Sequence, residues 1–404
     1  MREYSVRDTP LGGYGFPGER QLRDPGQTAM IGFHEQATNG TGRVLEKIIR
    51  HENTRLARMV RVIQRVFVWL VLAAYVSAAL FPSPGMWIRY VHFGHLTVLG
   101  VQLKVTLPLL MLAFLLFNAG VGTRVSELPG LVRHPSVLVL GVLGVVAIPL
   151  ALVFAVALMG QWWTEPNEVQ QLLVGLSVLA AMPIAGASPA WSQNSNGNLT
   201  LSLGLLLVST ILSPLATPLV LRAVQCETTG SYARALGHVA GGRTQLLLCV
   251  YVILPVVAGI LVRTSVGTSR TLVVRPYLKS INFVLLLLLA YANASICLPK
   301  TLAKPDFDFI FPVLAISTLL CAVSFACAFG LAKMVRAERA NGISLLFGIG
   351  MRNTSAGLVL ASIMLERLPQ VLLPIIFYSL LQNVVAAVTS NLLQRKDKSA
   401  VATS

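Results

Sequence analysis

The chain has 404 residues, of which 55% are hydrophobic and only 12% charged, with a net charge of +16. A soluble globular domain carries about 25% charged residues, so this composition excludes that class and points to a membrane protein. The five cysteines are odd in number, mostly in or beside apolar segments, and form neither a disulfide framework nor a CxxC metal pair, and the basic residues are spread over loops with no nucleic-acid motif beside them.

Residues 1–43 are polar and rich in Gly, Pro, Arg and Asp, with no apolar core of the signal-peptide kind, and are expected to form a disordered cytosolic tail. Gly12, Gly13 and Gly15 suggest a phosphate loop only superficially, because no strand pattern precedes them. In 44–65, Val44, Leu45, Ile48, Ile49, Leu56, Met59, Val60 and Ile63 recur at near-helical spacing between Lys47, Arg50, Arg55, Arg58 and Arg61. Two readings fit: an amphipathic helix on anionic lipid headgroups, or a helical extension of the first span.

Apolar segments follow at 66–81, 104–122, 136–159, 169–190, 198–221, 243–263, 277–297, 307–332, 341–365 and 369–393. Most approach the ~20 residues a spanning helix needs, and none shows the alternation of a barrel strand. The expected fold is an all-α integral membrane protein of ten helices, occupying 66–394 and closed by a short cytosolic tail at 395–404. Lys and Arg favour the tails and alternate loops (Arg263, Arg270, Lys279, Lys333, Arg336, Arg395, Lys396), which places both termini in the cytoplasm of a cell membrane.

Five segments fall in 66–221 and five in 243–394, and an odd number per half inverts the second half relative to the first. The fourth segment of each half is interrupted. One contains Pro183, Gly186, Ser188 and Pro189; the other contains Gly348, Gly350, Met351, Arg352 and Asn353. Proline removes a helical amide and glycine tolerates unwound backbone, and such backbone survives at membrane depth only against protein or a wet cavity. Each break alone could be a packing kink; two in matching places point to a solute site at the interface of the two halves. Arg352 lies about half way along its segment, and a charge there costs at least ~2.5–3.5 kcal/mol on insertion scales. Without a carboxylate nearby, it points to an anion. Ser188, Asn194, Asn353, Thr354 and Gln382 are the polar candidates around it. Trp191 fits an interfacial anchor better than a solute cover. His92 and His95 have no third metal ligand, and no nucleophile–base pair lies in the spans, so neither metal chemistry nor an enzyme is expected.

The run Ala180-Ala181-Met182-Pro183-Ile184-Ala185-Gly186-Ala187-Ser188 is followed by Gly197-Asn198-Leu199-Thr200-Leu201-Ser202 and then Ser209-Thr210 to Thr217-Pro218. With Gly350-Met351-Arg352-Asn353 and Phe117-Asn118-Ala119-Gly120-Val121-Gly122, it resembles the bile acid:sodium symporter family over about 66–394. The resemblance implies a panel and a core part, crossing helices 4 and 9, alternating access and Na+ as coupling ion. It also implies a cation site of which Ser188, Ser202 and Met351 remain. The family's asparagine, glutamate and glutamine are Pro189, Gly348 and Arg352 here. A hard cation needs oxygen ligands and is repelled by a guanidinium, so those sodium sites are expected to be dismantled. Arg352 then supplies the positive charge itself, and its planar fork suits bidentate contact with the carboxylate, sulfonate or phosphate of a solute. The expected function is a secondary transporter of a small organic anion, with no cofactor unless Na+ remains the coupling ion. The alternative is a non-transporting receptor for such an anion. Neither a channel filter nor the cysteine of an arsenite-efflux relative is seen between 169 and 192.

Overall fold

The computed structural model describes residues 68–123, 135–163, 165–266 and 268–402. The expected tail at 1–43 and amphipathic helix at 44–65 lie outside the described residues.

The described residues start with α1 (Val68–Leu80), which turns by 93° into α2 (Pro82–Tyr90). Next comes a hairpin of β1 (His92–Val98) and β2 (Val101–Thr106), antiparallel with Val98 opposite Val101. An all-α fold is therefore corrected by one two-stranded element. Its tip, Leu99-Gly100, has φ of 50° and 79°, the double left-handed geometry of a two-residue hairpin turn, and β-branched Thr97, Val98, Val101 and Val105 suit the pleat. The second expected span consequently begins at Leu107 rather than 104, in α3 (Leu107–Gly122).

The first half continues with α4 (Pro135–Met159), α5 (Pro166–Ala181), α6 (Ser188–Asn194) and α7 (Leu199–Gln225). After α8 (Gly230–Val239), the second half runs through α9 (Gly242–Val266), α10 (Thr268–Ala303) and α11 (Phe307–Met334). It ends with α12 (Arg339–Gly350), α13 (Thr354–Met364) and α14 (Leu373–Ala402). No helix boundary marks the expected tail at 395, since α14 runs on to Ala402.

Among the described residues, six helices are long and apolar enough to cross a membrane, or seven if α1 and α2 form one bent span. Three apolar segments remain: α3, at 16 residues, is shortened by the hairpin before it, while α5 and α6 share the second and α12 and α13 the third. Breaks shorten each piece below spanning length, which is why a count of long helices falls short of a count of apolar segments.

Local chemistry explains the irregularities. Pro255 cannot donate to Tyr251 and crowds its carbonyl, and α9 widens into a π turn at Cys249–Ile253 just before it. In α7, Pro214 leaves the Thr210 carbonyl without its amide, and Ser213 Oγ donates to that oxygen at 2.7 Å. Helices α3 and α9 meet backbone to backbone at Gly120 and Gly259, the close approach that small residues permit in membranes. At the far end of α13, Arg89 donates to the Ser362 carbonyl, a cation on a helix C-terminus.

Candidate functional site

The two breaks meet. Residues 182–187 leave the helical path between α5 and α6, and 351–353 do so between α12 and α13. Ile184 and Arg352 pair as an isolated antiparallel bridge. Asn353 N donates to the Pro183 carbonyl at 2.9 Å and Ala185 N to the Met351 carbonyl at 3.1 Å. Each break thus supplies hydrogen-bond partners that its own helix has lost.

Side chains complete the set. Thr217 Oγ1 donates to the Ala181 carbonyl (2.9 Å), Ile184 N donates to Ser209 Oγ (3.3 Å), and Tyr378 Oη donates to the Gly350 carbonyl (3.0 Å). Gln382 Oε1 accepts from Arg352 N at 2.9 Å, and its Nε2 donates to Thr354 Oγ1 at 3.2 Å. Thr354 Oγ1 in turn donates to Ser379 Oγ, also at 3.2 Å. Asn353 caps α13, its Oδ1 accepting from Ala356 N at 3.1 Å.

Arg352 lies at the centre and is 1% exposed. Its Nη1 donates to the Met182 carbonyl at 3.2 Å, while Nε and Nη2 make no hydrogen bond of normal geometry. The neighbouring Tyr378 hydroxyl is neutral and gives its proton to Gly350. Acidic residues on the crossing elements stand at their far ends: Glu168, Glu338 and Glu366 are each about 14 residues from the break, or ~20 Å of helix. At that range a unit charge contributes under ~1 kcal/mol at an effective dielectric of 20. The guanidinium therefore has no resident counter-charge on these elements.

Ser188 and Ser202 are fully buried and each Oγ lacks a partner, whereas the Met351 carbonyl is occupied by Ala185. Gly186 is exposed, and a Cβ there would meet nothing within 4 Å, so the first break has an open flank. Asn194 is not brought to the crossing. It is exposed at the end of α6, where its carbonyl accepts from Gln394. Trp191 is no free anchor either, since it stacks on Phe347 at 6.4 Å.

A cavity of about 40 Å³ lies beside the first break, lined by Met182, Pro183, Ser209 and Ser213 among mostly apolar neighbours. That is room for water but not for an organic anion.

Several contributors escaped the sequence reading. Tyr378 is one; its place one residue before Ser379 on the polar stripe of α14 was the available signal. The Met182 carbonyl had none, because any residue type supplies a carbonyl. Thr217 and Ser209 belong to the run that carries the family resemblance.

Gly350 packs under Phe325, and a Cβ there would lie 2.6 Å from the ring, which is itself held edge-on against Phe347. Gly350→Ala is expected to cost about 1–3 kcal/mol of stability, whereas Gly186→Ala should be neutral within ~0.5 kcal/mol. Thermal melts of the two variants in detergent check this.

A helical membrane protein with paired, mutually bonded helix breaks around a buried charge has the make-up of a solute transporter. Residues 109–304 match the model of the Sodium Bile acid symporter family. The uncharacterized protein YbaS of Bacillus subtilis (strain 168) is 30% identical over 224 residues, covering 55% of this chain and 69% of YbaS. YocS of the same organism, described as an uncharacterized sodium-dependent transporter, is 21% identical over 297 residues, covering 73% of this chain and 80% of YocS. The chain belongs to the sodium bile acid symporter family, and is thus a multi-pass membrane transporter rather than an enzyme.

Proposed function

We propose that the protein is a secondary transporter of a small organic anion, working by alternating access about the crossed breaks. The observation that carries this reading is the buried Arg352 guanidinium, with Nε and Nη2 unpartnered at the crossing. These two N–H groups lie on one edge of the planar fork and match two oxygens of a carboxylate or sulfonate. Gln382 and Asn353 hold the Arg352 backbone and the start of α13 in place, and Thr354 and Ser188 add hydroxyls at the two breaks, that of Ser188 without a partner. Asn194 has no part in the site, being exposed at the far end of α6.

Ten membrane segments in two inverted halves, 66–221 and 243–394, fit this reading, with α5–α6 and α12–α13 as the fourth segment of each. Both termini then face the cytoplasm of the cell membrane. Na+ is the coupling ion that family membership suggests. The residues present suit it poorly: Ser188 and Ser202 offer two hydroxyl oxygens, no carboxylate joins them, and a guanidinium lies at the same crossing. A hard cation needs several oxygen ligands and is repelled by the fixed charge.

Uptake of labelled carboxylates and sulfonates into proteoliposomes, in sodium and in choline buffer, tests the transport reading. Saturable uptake above protein-free vesicles is the expected result. Saturable binding in detergent with no uptake would favour a receptor instead.

A further inference from the structure

The charge balance at the crossing has a consequence for the mode of transport. Arg352 keeps its proton under all physiological conditions, so the positive charge is permanent. The guanidinium's one hydrogen bond of normal geometry goes to the Met182 carbonyl, the neighbouring Tyr378 is neutral, and the carboxylates of the crossing elements lie ~20 Å away along their helices. The nearby α14 side chains, Ser379, Gln382 and Asn383, are also neutral. Without solute, the crossing therefore holds an uncompensated charge. A bound monoanion on the Nε–Nη2 edge removes it.

Alternating access requires the crossing to pass through an occluded arrangement with the solute bound, and again with the carrier empty. The two passages differ in charge. With a carboxylate or sulfonate on the fork, a neutral pair is buried throughout. Empty, the carrier takes a bare guanidinium through the same rearrangement, with a single hydrogen bond to the Met182 carbonyl in place of a counter-charge. We propose that the protein is an exchanger of organic monoanions that works without sodium: the anion itself is the counter-charge that lets the crossing rearrange, so one anion enters as another leaves. This rests on the anion-transport reading above and adds to it the driving force and the stoichiometry. A single guanidinium balances a single negative charge, so monocarboxylates and monosulfonates fit better than dianions.

The full chain, reconstituted into liposomes, tests this with labelled pyruvate, benzoate and taurocholate. Each is offered to vesicles that are empty or preloaded with the same unlabelled anion, in sodium and in choline buffer. Entry into preloaded vesicles should be faster by on the order of a hundredfold, the rate equivalent of the minimal arginine penalty. Sodium should make no difference. Arg352→Lys, which keeps the charge, should retain the dependence on preloading. Arg352→Gln, which loses the anion's counter-charge, should lower entry into preloaded vesicles to the level seen with empty ones. Equal entry into empty and preloaded vesicles with the wild-type chain would overturn the exchange mechanism while leaving transport standing. A requirement for sodium would overturn it as well. If none of the three anions enters under any condition, the transport reading itself falls, and exchange with it. The wild-type comparison decides the matter even if a variant fails to fold.

Discussion

Replacing Arg352 with glutamine is expected to move anion binding and intrinsic stability in opposite directions. Binding of a carboxylate or sulfonate should weaken by about 2–5 kcal/mol, the cost of truncating one member of a buried, hydrogen-bonded charge pair. The ligand-free protein should become more stable, by about 1–3 kcal/mol, because a bare buried charge is replaced by a neutral amide. The opposing signs give the experiment its power. A merely structural arginine, holding the Met182 carbonyl and nothing else, would lower stability when removed and leave anion affinity untouched. Thermal melts with and without anion, together with titration calorimetry, separate the two outcomes. A melting temperature that falls in the variant, with unchanged affinity, would remove Arg352 from the binding site.

The second large effect concerns the scaffold. A Cβ on Gly259 would lie 2.1 Å from the Phe117 carbonyl oxygen and 2.8 Å from Val121 N, and one on Gly120 would lie 2.2 Å from the Val256 carbonyl oxygen. These are backbone atoms on both sides, so no side chain can rotate away. Gly259→Val should force α3 and α9 apart over their whole contact, with a loss above ~3 kcal/mol or failure to purify as a single species. Gly122→Ala is the matched control: its added Cβ meets nothing within 4 Å, and it should behave as wild type. Size-exclusion profiles and thermal melts of the pair check the difference. Equal behaviour of the two variants would show that the close approach of α3 and α9 contributes little.

The breaks were legible because their chemistry is local: Pro183 cannot continue a helix, and Gly348 and Gly350 weaken one at a position where a charge also sits. Placing Arg352 as a buried group followed from the same stretch. The hairpin was not legible. Its strands, apolar and mixed with polar residues on both faces, run straight into the leucine-rich α3, so hydropathy alone fuses Lys104, Val105 and Thr106 with the helix that follows. Asn194 was misplaced for a related reason. Polar residues just after a break look alike whether they line it or leave it, and only the seven-residue α6 decides the matter, carrying Asn194 ~10 Å beyond Ser188. Spanning length misled in the other direction, since an apolar segment does not reveal how many helices divide it.

The bridge between Ile184 and Arg352 is made of main-chain atoms: two amides and two carbonyls, contributed by Pro183, Ala185, Met351 and Asn353. Main-chain pairing is indifferent to what projects from it. The joint can hold its shape while the group at position 352 is an amide, an ammonium or a guanidinium, so the hinge and the charge it displays are separable parts. A scaffold of this kind can be re-ionised at one position without being refolded. Changing the sign or size of the charge at that position then becomes a route to a different cargo within the same mechanical frame.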